Sequence, residues 1–121
     1  MARPRTDVLQ GTLTLLVLRT LARGRLHGYA ITSHIQRVSD DLLRVEEGSL
    51  YPALHRLCKR GDLDASWGET DTGRRARFYT ITRQGSRRLA EQASLWERVS
   101  AAVNSVLASG KGDRPRSAEA Y

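Results

Sequence analysis

Between residues 74 and 88 the sequence RRARFYTITRQGSRR carries six arginines, at 74, 75, 77, 83, 87 and 88, and no acid. A guanidinium is planar, permanently charged and fork-shaped, so it meets phosphate oxygens better than a lysine ammonium does. A second polar group lies upstream in SLYPALHRLCKR, residues 49–60, where Tyr51, His55, Arg56 and Lys59 would share one face of a helix. Arg56 and Lys59 can neutralise phosphates or donate to guanine. Ser49 and Tyr51, near the start of such a helix, can bond phosphate oxygens with help from free N–H groups and the helix dipole. The chemistry these residues offer is the binding of a polyanion.

Other chemistries find little support. No nucleophile is paired with a base, and no Gly-rich phosphate loop is present, so no catalytic residue is assigned and an enzyme is not expected. His27, His34 and His55 lack metal-ligand spacing, and no cofactor or metal site is expected. Cys58 is the only cysteine, which excludes a disulfide framework and suits a reducing, cytoplasmic compartment. It falls on an apolar helix face and reads as a structural thiol. Glu46 and Glu47 precede a helix, where carboxylates favour the dipole.

The charge balance agrees. Twenty Lys+Arg stand against thirteen Asp+Glu in 121 residues, a formal charge of +7. Eighteen of the cations are arginine, so an arginine-rich composition explains Arg over Lys, but not the acid-free run. Residues 1–6 read as a flexible basic arm and 110–121 as a flexible tail rich in Gly, Pro and charge. Without both ends the chain is still cationic, and a cationic domain of this size is drawn to nucleic acid.

The elements that must hold these groups follow from apolar spacing. Residues 8–22 are apolar nearly all round, which predicts a helix buried on two sides. The run contains Gly11 and Arg19 and is short of the roughly 20 residues of a membrane span. Residues 28–38 predict a second helix with Ile31, Ile35 and Val38 on its apolar face, broken by Ser39-Asp40-Asp41. Residues 49–60 predict a third, with Ser49 as N-cap, Pro52 in its first turn, and Leu50, Ala53, Leu54, Leu57 and Cys58 inward. Leu63, Ala65 and Trp67 alternate with polar residues, then GETDTGRR precedes ARFYTIT: a β-hairpin with a long loop, Trp67 packing it onto the body. Residues 83–109 predict a long helix in which Leu89, Trp96, Val99, Val103 and Val106 recur at 7, 3, 4 and 3.

The order is mainly α with a small β-hairpin, an α+β winged helix-turn-helix over 7–82 followed by a long C-terminal helix over 83–109. In such a unit the second helix of the pair lies in the DNA major groove, and Arg74, Arg75 and Arg77 at the wing reach the backbone or minor groove. The terminal stripe is too long for so small a domain to cover. Leu9, Leu13 and Leu16 with Leu89, Trp96, Val99, Val103 and Val106 therefore predict a homodimer, which would present two recognition helices to a palindromic double-stranded DNA site. Trp96 reads as an anchor of that dimer core.

Three stretches carry a family resemblance: GTLTLLVLRTLARGRLHGYAI, VEEGSLYPALHRLCKRGDL and GRRARFYTITRQGSRRL. HGY at 27–29, EGSLYPAL at 47–54 and RRARFYTIT at 74–82 are the most specific pieces. Together they resemble the PadR-like transcriptional regulators, named for a repressor of phenolic acid decarboxylase, from about Leu9 to Leu107. The lone helix after the wing is similar to the short branch of the family. The resemblance implies a dimeric winged helix-turn-helix repressor. Its DNA-contacting tyrosine matches Tyr51, the recognition-helix neighbours match Ser49, Pro52 and His55, and the basic wing matches Arg74 and Arg75. Its dimerisation helices match 8–22 and 83–109. Some relatives stack flat aromatic compounds on a tryptophan at the dimer centre, so Trp96 is the candidate platform for a small aromatic effector. Two alternatives remain: a winged-helix module that binds protein, and a nonspecific nucleoid-binding protein.

Overall fold

A computed structural model describes residues 4–110, with side chains from Gly11 onward. Helix α1 (Pro4–Leu21) is followed by strand β1 (Leu26–His27), helices α2 (Gly28–Val38) and α3 (Glu47–Arg60), strands β2 (Leu63–Glu69) and β3 (Arg75–Ile81), and helix α4 (Arg83–Ala108). The chain divides into two units between Ala90 and Glu91.

In the first unit, α1, α2 and α3 converge on a core of Val17, Leu18, Leu21, Ile31, Ile35, Leu50, Ala53, Leu54 and Leu57, closed by Leu63 and Tyr79 from the sheet. Each leucine so buried contributes about 2 kcal/mol over an exposed one. Helix α1 starts four residues earlier than apolar spacing suggests, at Pro4, because proline is preorganised for a first helical position and has no N–H to lose there. Residues 4–6 of the expected arm are therefore helical. Residues 1–3 and the expected tail from 111 lie outside the described residues.

Helix α2 is capped by His27, whose Nδ1 accepts the Ala30 N–H at 3.4 Å. Ile31 and Ile35 face the core as expected, but Val38, in the helix's last position, is exposed. Asp40 and Asp41 follow with φ of 54° and 68°. This left-handed pair, which Asp tolerates better than most residues, keeps the helix from continuing past Ser39. Asp41 Oδ1 accepts Gln36 Nε2 at 2.8 Å, and the Ser39 hydroxyl accepts the Leu43 N–H at 2.9 Å.

Helix α3 begins at Glu47 with Glu46 as N-cap, not at Ser49. The Glu46 carbonyl takes the Ser49 and Leu50 N–H groups at 3.0 and 2.9 Å, which draws Glu47, Gly48 and Ser49 into the first turn. Glu47 complements the dipole there. Pro52 consequently lies inside the helix, where it has no N–H for the Gly48 carbonyl. Gly61 ends α3 at φ 88°, a left-handed cap that glycine adopts without strain.

The sheet has three antiparallel strands in the order β1-β3-β2. Its first strand was not foreseen, since two residues are too few to show alternation. Leu26 pairs with Tyr79 and His27 with Phe78. Strands β2 and β3 form the expected hairpin, Leu63 opposite Ile81 through Glu69 opposite Arg75. The second unit is the body of α4 from Glu91. Among the described residues no helix is long and apolar enough to cross a membrane.

Candidate nucleic-acid interface

Helix α3 presents two chemically opposite faces. Leu50, Ala53, Leu54 and Leu57 are buried, while Ser49, Tyr51, Pro52, His55 and Lys59 are exposed and Arg56 is half-exposed. The inward residues recur every three or four positions, so the outward ones must as well. Every α3 residue expected to meet DNA thus lies off the core.

The hairpin tip is tied by its own backbone. Thr70 N–H donates to the Arg74 carbonyl at 2.8 Å, Gly73 N–H to the Thr70 carbonyl at 2.9 Å, and Arg74 N–H to the Thr70 hydroxyl at 3.1 Å. Five residues, 70–74, make the turn between β2 and β3, and Arg74 and Arg75 emerge from it exposed. Beside the tip opens a cleft of about 670 Å³ where wing and helices meet. The start of α2 contributes His27 and Tyr29, α3 contributes Tyr51, and the wing contributes Arg74, Arg75 and Arg77. Glu47 and Asp71 lie on its walls as well. The Tyr51 phenol lies so close over Gly28 that any Cβ there would stand 2.6 Å from its oxygen.

The cleft brings together four of the sequence-derived residues: Tyr51, Arg74, Arg75 and Arg77. Ser49, Pro52, His55, Arg56 and Lys59 lie outside it on α3. His27 and Tyr29 were not singled out as site residues. Their approach to Tyr51 depends on tertiary packing, and the available signal was the HGY motif itself.

Two expectations need correction. The arginine run has no acid along the chain, but in space Asp62 neutralises one of its members. Arg88 Nε lies 2.6 Å from Asp62 Oδ2, the arginine side chain 35% exposed and the aspartate 0%. Gln84 Nε2 donates to the other carboxylate oxygen at 2.8 Å. Arg88 is therefore a structural cation of the α4 base. Trp67, expected to pack the wing onto the body, is 58% exposed. The guanidinium carbons of Arg75 and Arg77 lie 4.7 and 5.6 Å from its ring centroid. The indole lies outside the core, and two arginines cover it.

Cys58 is partly buried, and burial pushes its thiol above the ordinary range, with Arg77 acting in the opposite sense. Burial likewise raises the Tyr79 phenol. A thiol shifted this way is a poorer nucleophile at neutral pH, as a packing residue should be.

The residues expected to dimerise separate into two groups. Leu13 is 8% exposed within its own chain's core, and Leu16 and Leu89 are half-buried against that core. The side chain of Leu9 lies outside the described residues. On α4, by contrast, Trp96 is 48% exposed, and Val99, Val103 and Val106 are also exposed with Leu95 and Leu107 beside them.

Comparison with known proteins decides the family. The model of the transcriptional regulator PadR-like family matches residues 17–91, more than half of the chain, from the core of α1 through the wing to the base of α4. This chain belongs to the PadR-like family of transcriptional regulators. The winged helix-turn-helix with a C-terminal helix is thus the PadR-like fold, and members of the family regulate transcription by binding DNA, not as enzymes. A transcriptional regulator from Clostridium thermocellum superposes with a TM-score of 0.74 at 30% identity, over 82% of this chain and 96% of that one. A PadR-like transcriptional regulator from Bacillus cereus gives 0.68 at 27% identity, over 89% and 96%. An uncharacterized protein of Lysinibacillus sphaericus is 28% identical over 95 residues, 78% of this chain and 87% of that one.

Proposed function

We propose that this PadR-like regulator is a cytoplasmic homodimeric repressor of a palindromic operator. Helix α3 enters the major groove, with Arg56, Lys59 and His55 toward the bases and Ser49 and Tyr51 at the phosphates beside it. Arg74 and Arg75 at the wing tip hold the adjacent backbone. The subunits join along the exposed α4 stripe centred on Trp96, Val99 and Val103, and a flat aromatic effector stacking on Trp96 releases the operator. The observation that carries the reading is the convergence of Tyr51 from α3 with three wing arginines in one cleft. Phosphate oxygens satisfy such a group of donors, and the release of condensed counterions drives binding.

Binding should therefore weaken steeply with salt. Replacing Arg74 and Arg75 together by Ala removes two phosphate contacts per subunit. The slope of log K against log salt should then fall by about two per subunit, at about 0.9 per contact. Operator and random duplexes should lose affinity alike, because these contacts read no bases. A gel shift on DNA from just upstream of the gene, run across a salt series, measures both. An unchanged slope would remove the wing tip from the interface, and equal wild-type affinity for operator and random duplexes would point to nonspecific binding.

A further inference from the structure

Trp67 is an exposed tryptophan on the β2–β3 hairpin, outside the core that Leu63 and Tyr79 of the same hairpin close. In the β2–β3 register it lies opposite Arg77 and one same-face step from Arg75, which is paired with Glu69. Side chains at these positions leave one face of the sheet. Both guanidiniums lie over the indole, and both arginines also line the cleft. The cation–π contact at Phe78 differs in kind. There Arg25 lies 4.2 Å over Phe78, which is buried, so that arginine caps core.

Stacking two like charges on one ring is unfavourable between the charges themselves, and an anion beside them relieves it. Free arginines also lose much rotamer freedom when a ligand fixes them. A ring that already holds them lowers that loss. We propose that Trp67 is a positioning residue for the duplex: its indole holds Arg75 and Arg77 extended in the cleft, ready for phosphate, without touching DNA itself. This role rests on the duplex-binding reading above.

The test uses the full chain and a duplex from just upstream of its gene, titrated across a salt series. Trp67→Ala should bind about 10-fold more weakly, the loss expected when two long side chains must be ordered on binding instead of beforehand. Its salt slope should match wild type, since both charges remain. Trp67→Phe, which keeps a smaller π-face, should recover most of the affinity. In an Arg75→Ala/Arg77→Ala background, Trp67→Ala should change affinity less than about twofold, because the residues it positions are gone. Melting temperature should stay close to wild type throughout, as expected of an exposed side chain.

Wild-type affinity in Trp67→Ala overturns the role and leaves the duplex reading intact. An equal loss with and without the two arginines also overturns it, by making the indole a direct contact. Failure of the wild type to bind any duplex overturns both.

Discussion

Arg88→Met is expected to cost about 3 kcal/mol of stability, more than any single change at the proposed DNA surface, since breaking a buried ion pair leaves a charge without compensation. The two partners are not equivalent. Arg88 is 35% exposed and could return to water, whereas Asp62 is fully buried and could not. Losing the arginine therefore strands a carboxylate that, among the described residues, keeps only the Gln84 amide. Losing the aspartate strands a cation that solvent can reach, so Asp62→Asn should be milder. The surroundings leave little room to adjust. Thr82 N–H donates to the Asp62 carbonyl at 3.0 Å, and a Cβ on Gly85 would collide with that same oxygen. Thermal unfolding should show the Arg88→Met midpoint lowered by roughly 12–24 °C, at about 4–8 °C per kcal/mol for a domain of this size. Adding Asp62→Asn to Arg88→Met should restore part of the loss, because no charge is then left unpaired. Additive losses in the double variant would mean that the pair is not coupled.

The second large effect is on assembly. Val99→Glu with Val103→Glu places two carboxylates in the exposed stripe of α4. Each buried valine is worth about 1.5 kcal/mol or more, and two-fold symmetry counts every change twice. The dimer dissociation constant should rise by about 10,000-fold, since four lost valines cost about 6 kcal/mol and each 1.4 kcal/mol is tenfold. Sedimentation velocity at micromolar concentration should show a monomer whose circular dichroism keeps the helical signature. Operator affinity should fall with it, because one recognition helix then binds without its twin. A variant that remains dimeric would move the interface elsewhere.

Much of the fold is legible in the chain because burial repeats at helical intervals. The apolar spacing of 8–22, 28–38 and 49–60 places three of the four helices within a few residues of their observed ends. The terminal stripe likewise places α4. Helix starts were harder to read. Ser49 is the better capping residue by type, yet the chain path puts Glu46 at the cap, and the choice turns on where the preceding loop delivers the backbone. The exposed face of α3, where the proposed interface lies, was readable for the same reason as the core, since the polar face is the complement of the apolar one. Contacts between distant residues were not. Asp62 and Arg88 are 26 positions apart, and nothing local marks either as the other's partner. The same holds for His27 and Tyr29 beside Tyr51, and for the covering of Trp67, which needs the hairpin register before Arg75 and Arg77 can be placed on its face.

Pairing of subunits and pairing on DNA are both read by sedimentation of the purified chain alone and then with a fluorescent duplex from its own upstream region. A dimer is expected at micromolar concentration, with two subunits per duplex at low salt and release of the DNA as salt rises. A monomer that never pairs, or a dimer that leaves the duplex sedimenting freely in dilute buffer, would contradict the proposed function.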